Sequence, residues 1–130
     1  MADYASDGAL LVIGVLAFLM TTPRPTLLLI DELERGLHPR ALARFVQQLR
    51  EIQKLHPDVQ IVATTHSPYL LDCFKPEEIR LTYAEPGKPA TIAKLTDHPD
   101  WERWKDEMAP GEFWASVGEE WIAKLKGPKA

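Results

Sequence analysis

The chain has a single cysteine, Cys73. No disulfide can close within it, and a reducing compartment is compatible with that usage. It has no surplus of positive charge: 15 Lys and Arg stand against 19 Asp and Glu, for a formal charge of −4. That balance argues against a dominant nucleic-acid surface in these residues. It also lacks a long apolar run. The most apolar stretch, Ala9 to Met20, is twelve residues, well short of the ~20 that span a bilayer. Nor does this stretch read as a signal peptide. Asp3 and Asp7, and no basic residue, lie ahead of it, and no small-x-small cleavage site follows. There is no internal repeat and no low-complexity segment. What is present is a 130-residue chain, 45% hydrophobic and 26% charged, the composition of one compact globular domain and not of a disordered tail.

Local patterning predicts an α/β chain. Ser6-Asp7-Gly8 reads as a helix start, with Ser6 or Asp7 able to cap the exposed amides. The helix runs to about Met20, is expected to be buried, and ends ahead of Pro23 and Pro25. Thr26 to Ile30 fits a buried strand ending in Asp31-Glu32. Gly36 breaks the chain and Pro39 suits the first turn of a second helix. Leu42, Phe45, Val46, Leu49, Ile52 and Leu55 form an apolar stripe along that helix. Pro57-Asp58 makes a turn into a second strand, Val59 to Thr64. A strand, a helix and a strand in this order imply a right-handed parallel crossover. Ligands of open α/β sheets gather at the carboxyl ends of such strands, where Asp31-Glu32 and Thr65-His66 fall. Further on, a short helix is expected over Pro68 to Phe74, then a weak hairpin of Glu78 to Ala84 and Thr91 to Leu95 around Pro86-Gly87. All four tryptophans lie in the last thirty residues. Trp114, Val117, Trp121 and Leu125 share one helical face, which suits either a docked C-terminal helical lobe or an exposed aromatic surface for a partner.

Four short segments carry chemistry. A strand ending in two carboxylates holds them rigidly at a sheet edge. Asp31 can hold Mg²⁺, which prefers one or two carboxylates plus phosphate oxygens, and Glu32 can orient and deprotonate an attacking water. His66, at the tip of the second strand, can donate a hydrogen bond to a terminal phosphate, or can be a structural histidine. The helix start at Ser6-Asp7-Gly8 offers free amides and a positive dipole end to a phosphate; it is equally an ordinary N-cap with Gly8 allowing tight packing. Gly36-Leu37-His38-Pro39 forms a tight turn that brings His38 near the end of the first strand, or a plain surface turn.

Taken together, Ser6-Asp7-Gly8, Leu27 to Glu32, Gly36 to Pro39 and Ile61 to Ser67 resemble the signature motif, Walker B segment, D-loop and H-loop of ABC-type ATPases. Asp31-Glu32-Leu33-Glu34-Arg35-Gly36-Leu37-His38-Pro39 is similar to the DEPE-x-GLHP pattern of AAA/ABC ATPases related to the RecF, SMC and OLD groups. The resemblance covers about residues 5 to 85. The segment from Pro110-Gly111-Glu112-Phe113-Trp114 through Gly118-Glu119-Glu120-Trp121 also resembles the C-terminal end of proteins in that group. It implies a partial P-loop NTPase head of the ABC type, α/β in class, with a parallel sheet core, flanking helices and a C-terminal helical lobe. Residues 1–96 would be the C-terminal half of the ATPase domain and 97–130 a Trp-rich extension. Asp31 would be the metal residue, Glu32 the catalytic base and His66 the switch histidine. Ser6 and Gly8 would contact the γ-phosphate of ATP bound to an opposite subunit, and His38 would sit at that dimer seam. The implied cofactors are ATP and Mg²⁺, the implied activity Mg-dependent ATP hydrolysis, and the implied assembly a homodimer across sandwiched nucleotides, in the cytoplasm. DNA or a defence effector as a downstream partner is implied by the family alone, without a basic stripe to support it.

Two departures qualify the resemblance. Leu33 stands where the family has proline, a change expected to affect only turn rigidity. A phosphate loop needs G-x-x-x-x-G-K-[ST]. The one Gly-Lys pair, Gly87-Lys88, is followed by Pro89, with Thr82 at the position of the first glycine. The chain therefore resembles the C-terminal portion of a longer protein, or half of a split ATPase, whose Walker A half is a separate partner. Alone it is expected to bind ATP weakly and turn it over negligibly. The alternatives are a non-catalytic dimerisation or regulatory module of ATPase fold, and a metal-dependent phosphodiesterase using Asp31, Glu32, Glu34 and His38.

Overall fold

A computed structural model describes residues 7–125, the side chain of Asp7 excepted. Ser6 lies outside the described residues. The chain divides into two compact units, residues 1–70 and 71–130. One compact domain was expected from the length; the expected division at 96/97 is one of function.

In the first unit, helix α1 (Asp7–Leu19), strand β1 (Leu27–Ile30), helix α2 (Pro39–Leu55) and strand β2 (Gln60–Ala63) follow one another, and a one-turn helix, α3 (Pro68–Leu71), runs up to the boundary, its last residue counted with the second unit. β1 and β2 pair in parallel, in the register Leu27 with Gln60 through Ile30 with Ala63, so the strand–helix–strand reading holds. α2 starts where Pro39 supplies a preset φ and no amide that needs a partner. It buries Leu42, Phe45, Val46 and Leu49. The apolar stripe fails at its last turn, where Leu55 is 74% exposed. Arg24 ties the two helix ends: its Nε donates to Leu19 O (3.2 Å) and its Nη1 to His56 Nδ1 (2.6 Å).

The expected burial of α1 and of both strands is only half met. Val15 and Leu19 of α1 are buried, but Leu10, Ile13 and Phe18 are exposed. β1 alternates, with Leu28 and Ile30 buried and Leu27 and Leu29 exposed, and Val62 of β2 is exposed as well. A helix apolar on every side needs cover on every side, and parallel strands are ordinarily covered on both faces.

The second unit opens with a 3₁₀ turn at Pro76–Glu78 and an antiparallel hairpin, β3 (Arg80–Tyr83) and β4 (Thr91–Lys94), in the register Arg80 with Lys94 through Tyr83 with Thr91. Helix α4 (Trp101–Trp104), helix α5 (Pro110–Val117) and a 3₁₀ segment over Glu120–Lys124 complete it. One apolar core joins the hairpin to the tryptophan-rich segment: Ile79, Leu81, Ala93 and Leu95 pack with Trp101, Phe113 and Ile122. This core draws on residues from both sides of 96/97. Trp104, Trp114 and Trp121 pack partly buried against it, and the last two satisfy their indole N–H groups on Glu119 Oε1 (2.7 Å) and Gly118 O (3.0 Å). Trp101 is thus core, and the other three tryptophans dock on that core while staying partly exposed. The single helical face expected from Trp114 to Leu125 does not form, because α5 stops at Gly118, whose φ of 62° lies where glycine is favoured.

His98 sits edge-on to Phe113 (5.1 Å between centroids) and Trp121 (4.9 Å), and its Nδ1 accepts the Asp100 amide (3.0 Å). Burial among these rings pushes its pKa below the ordinary 6.5, with Asp100 pulling weakly the other way. The folded unit therefore binds fewer protons here than the unfolded chain. The stability linked to His98 is fully present above pH 6.5 and is lost as pH falls from there through the folded pKa. Urea midpoints compared at neutral and mildly acidic pH should fall more in the native chain than in His98→Asn; equal losses would show that His98 is not the group responsible.

Candidate functional site

The parallel pairing continues past the last strand residues. Thr64 N–H donates to Ile30 O (2.9 Å) and Leu33 N–H to Thr64 O (3.0 Å), so the two carboxyl ends are stitched together. Between them lies one side-chain node. The Thr64 hydroxyl donates to Asp31 Oδ1 (2.6 Å) and accepts the Glu32 N–H (2.8 Å). Glu32 has φ 49°, in the left-handed region that costs a non-glycine residue energy. The hydrogen bond from its N–H to the Thr64 hydroxyl is part of what holds it there.

Two turns then carry the chain towards α2: Arg35 N–H donates to Glu32 O (2.8 Å) and Leu37 N–H to Glu34 O (3.0 Å), with Gly36 at φ 72°. Leu33 anchors the first turn, being 1% exposed. The expectation that leucine in place of proline alters only rigidity needs correction. Leu33 supplies an amide donor to Thr64 O, which a proline lacks.

Glu34 turns back towards the second strand end. Its Oε1 accepts the His66 N–H (2.8 Å). Burial pushes the Glu34 carboxyl up, but the His66 amide and the Thr65 hydroxyl outweigh it and hold the group below its ordinary 4.5. The His66 side chain is exposed at the same end of the sheet as Asp31 and the partly exposed Glu32. Asp31-Glu32 and His66 therefore each follow the carboxyl end of one of two paired parallel strands.

Gly8 and His38 have local partners of their own. Gly8 is buried against the Gly36-Leu37 turn: an added Cβ would collide with Gly36 O and lie 2.7 Å from Gly36 C and from Leu37 Cδ2. Gly8→Ala is therefore expected to destabilise the first unit by about 1–3 kcal/mol, since backbone atoms must shift to admit the methyl group. Chemical denaturation monitored at the residues of α2 measures this, and an unchanged midpoint would contradict the close approach. His38 is the N-cap of α2, its Nδ1 accepting the Arg40 N–H (3.3 Å). With His38 capping and Glu34 turned to His66, the phosphodiesterase constellation does not assemble. Among the described residues no three His, Cys, Asp or Glu side chains gather into a metal-binding group.

Comparison with known families matches this architecture. The family described as "AAA domain, putative AbiEii toxin, Type IV TA system" matches residues 2–72, more than half of the chain. The chain belongs to this AAA-domain family. No curated protein and no solved structure matches it. The family match contains Gly8, Asp31, Glu32, His38 and His66, and it ends next to the boundary of the first compact unit at residue 70. Nucleotide binding of the ATPase type is accordingly the function class of this AAA domain, in an α/β setting with a small parallel sheet. No helix among the described residues is long and apolar enough to cross a membrane. Two participants of the site, Thr64 and the His66-binding role of Glu34, are missed by sequence reasoning. The one signal for Thr64 is a polar residue directly after an apolar strand.

Proposed function

We propose that the chain supplies the acid-and-histidine half of an ATP-hydrolysing head of the ABC type, related to the RecF, SMC and OLD group. What supports this is that Asp31-Glu32 and His66 follow the carboxyl ends of two paired parallel strands, tied there through the Thr64 hydroxyl and the Glu34 carboxylate. Asp31 fits a hard divalent cation: it is an exposed carboxylate oriented through one oxygen by Thr64, and Mg²⁺ takes one or two such groups together with phosphate oxygens. When bound, Mg²⁺ would supply charge neutralisation at the phosphates. Glu32 orients the attacking water and accepts its proton, and His66 donates to the γ-phosphate. The signature segment that includes Ser6 and Gly8 faces the γ-phosphate held by an opposing copy, with Gly8 itself seated on the Gly36-Leu37 turn, and the His38 turn lies at the seam. Because Gly8 packs on that same turn, the two seam elements are in direct contact.

The β-phosphate grip of a G-x-x-x-x-G-K-[ST] loop comes from a Walker A half outside this sequence. Light scattering of the chain, mixed with a phosphate-loop half and with or without Mg-ATP, tests the assembly. A nucleotide-dependent dimer is expected. A dimer indifferent to nucleotide favours a non-catalytic dimerisation module instead. A robust Mg-dependent ATPase rate from the purified chain alone would overturn the two-part arrangement.

A further inference from the structure

We propose that Thr64 is a positioning residue for the acidic pair, its one hydroxyl orienting the Asp31 carboxylate and holding the Glu32 backbone in its left-handed turn. This rests on the ATPase reading above for the roles of Asp31 and Glu32, but not for the geometry. The hydroxyl is used in both directions: it donates to Asp31 Oδ1 (2.6 Å) and accepts from the Glu32 amide (2.8 Å). A hydroxyl has one proton to give and lone pairs to receive, so a single group meets both demands and neither valine nor alanine can. The backbone of Thr64 makes two more bonds, its N–H to Ile30 O (2.9 Å) and its carbonyl from Leu33 N–H (3.0 Å). The backbone that carries this hydroxyl is therefore fixed by continuation of the strand register.

The consequence for chemistry is specific. With Oδ1 engaged by Thr64, the Asp31 carboxylate is held in one orientation, with its second oxygen unengaged by the hydroxyl. With its amide fixed, Glu32 keeps a backbone conformation that its own preferences oppose. Glu34 acts in the opposite direction, from the acidic loop to the His66 amide (2.8 Å). It serves as an internal control, because its bond is separate from those of Thr64.

The test uses the whole 130-residue chain, with amide hydrogen exchange and Mn²⁺-induced line broadening read by NMR. Thr64→Val removes the hydroxyl at nearly constant shape, and Thr64→Ala removes it with less bulk. Both should speed exchange at the Glu32 amide roughly tenfold, the effect of losing one such bond. Both should also raise the Mn²⁺ concentration that broadens the Asp31 signal by about threefold. Thr64→Ser keeps the hydroxyl and should restore both values. Glu34→Ala should speed exchange at His66 and leave Glu32 unchanged. The proposal fails if Val and Ala leave both Glu32 exchange and the Mn²⁺ midpoint at native values, or if Ser does not restore them. Should the native chain show no Mn²⁺ broadening at Asp31, the metal role of Asp31 is wrong. Glu32 exchange, with its rescue by Ser, then decides the role of Thr64 by itself.

Discussion

Glu32→Gln should lower ATP turnover by about 10²- to 10⁴-fold in the head completed by its phosphate loop, the usual contribution of a positioned general base. Nucleotide binding should be nearly unaffected, so that ATP and the closed dimer accumulate. The substitution exchanges one carboxylate oxygen for an amide nitrogen and removes the proton acceptor. It leaves intact the backbone bond from residue 32 to the Thr64 hydroxyl. Glutamine meets the same left-handed φ of 49° as glutamate, so no new strain confuses the result. Single-turnover phosphate release, measured beside equilibrium ATP binding, separates the two effects. Normal release would remove Glu32 from the role of base. A parallel loss of binding would point to a folding defect.

Phe113→Ala should cost the second unit about 3–5 kcal/mol. Phe113 is fully buried, with its ring edge-on to Trp101 (5.2 Å) and His98 (5.1 Å). Truncation removes the aromatic packing and leaves a cavity walled by rigid rings that cannot collapse inwards. Domains of this kind hold a total of about 5–15 kcal/mol, so a large share of the unit's stability goes with one ring. Urea unfolding followed by tryptophan fluorescence reports on the affected core directly, since all four tryptophans lie in this unit. A loss below about 1 kcal/mol would mean that the ring is not a central element of the core. Phe113→Leu, which refills much of the volume, should lose less.

The two substitutions probe features of different legibility. The acidic pair and His66 could be read in sequence because each follows an apolar run, and a strand–helix–strand order places both runs side by side. α2 was legible too, through its repeating Leu42, Phe45, Val46 and Leu49, all buried. The course of the chain after Val117 was not. Trp114 and Trp121 have helical spacing, yet Gly118 ends the helix between them and Trp121 reaches the core from a 3₁₀ segment. The exposure of Ile13 and Leu29 was equally hidden, because hydrophobicity records what a side chain prefers and not whether a neighbour is there to cover it.

By itself the sequence determined the order of elements, the parallel pairing, the carboxylates and histidine at the strand ends, and the absence of a phosphate loop. These depend on local pattern and on connection rules. Only the tertiary structure decided that Thr64 serves Asp31 and Glu32, that Glu34 serves the His66 backbone, that Gly8 rests on the Gly36 turn, and that hairpin and tryptophans share one core. Each of those joins residues about thirty positions apart or across separate elements. A hydrogen bond or a close approach of that kind is set by strand register and packing, which no local periodicity encodes.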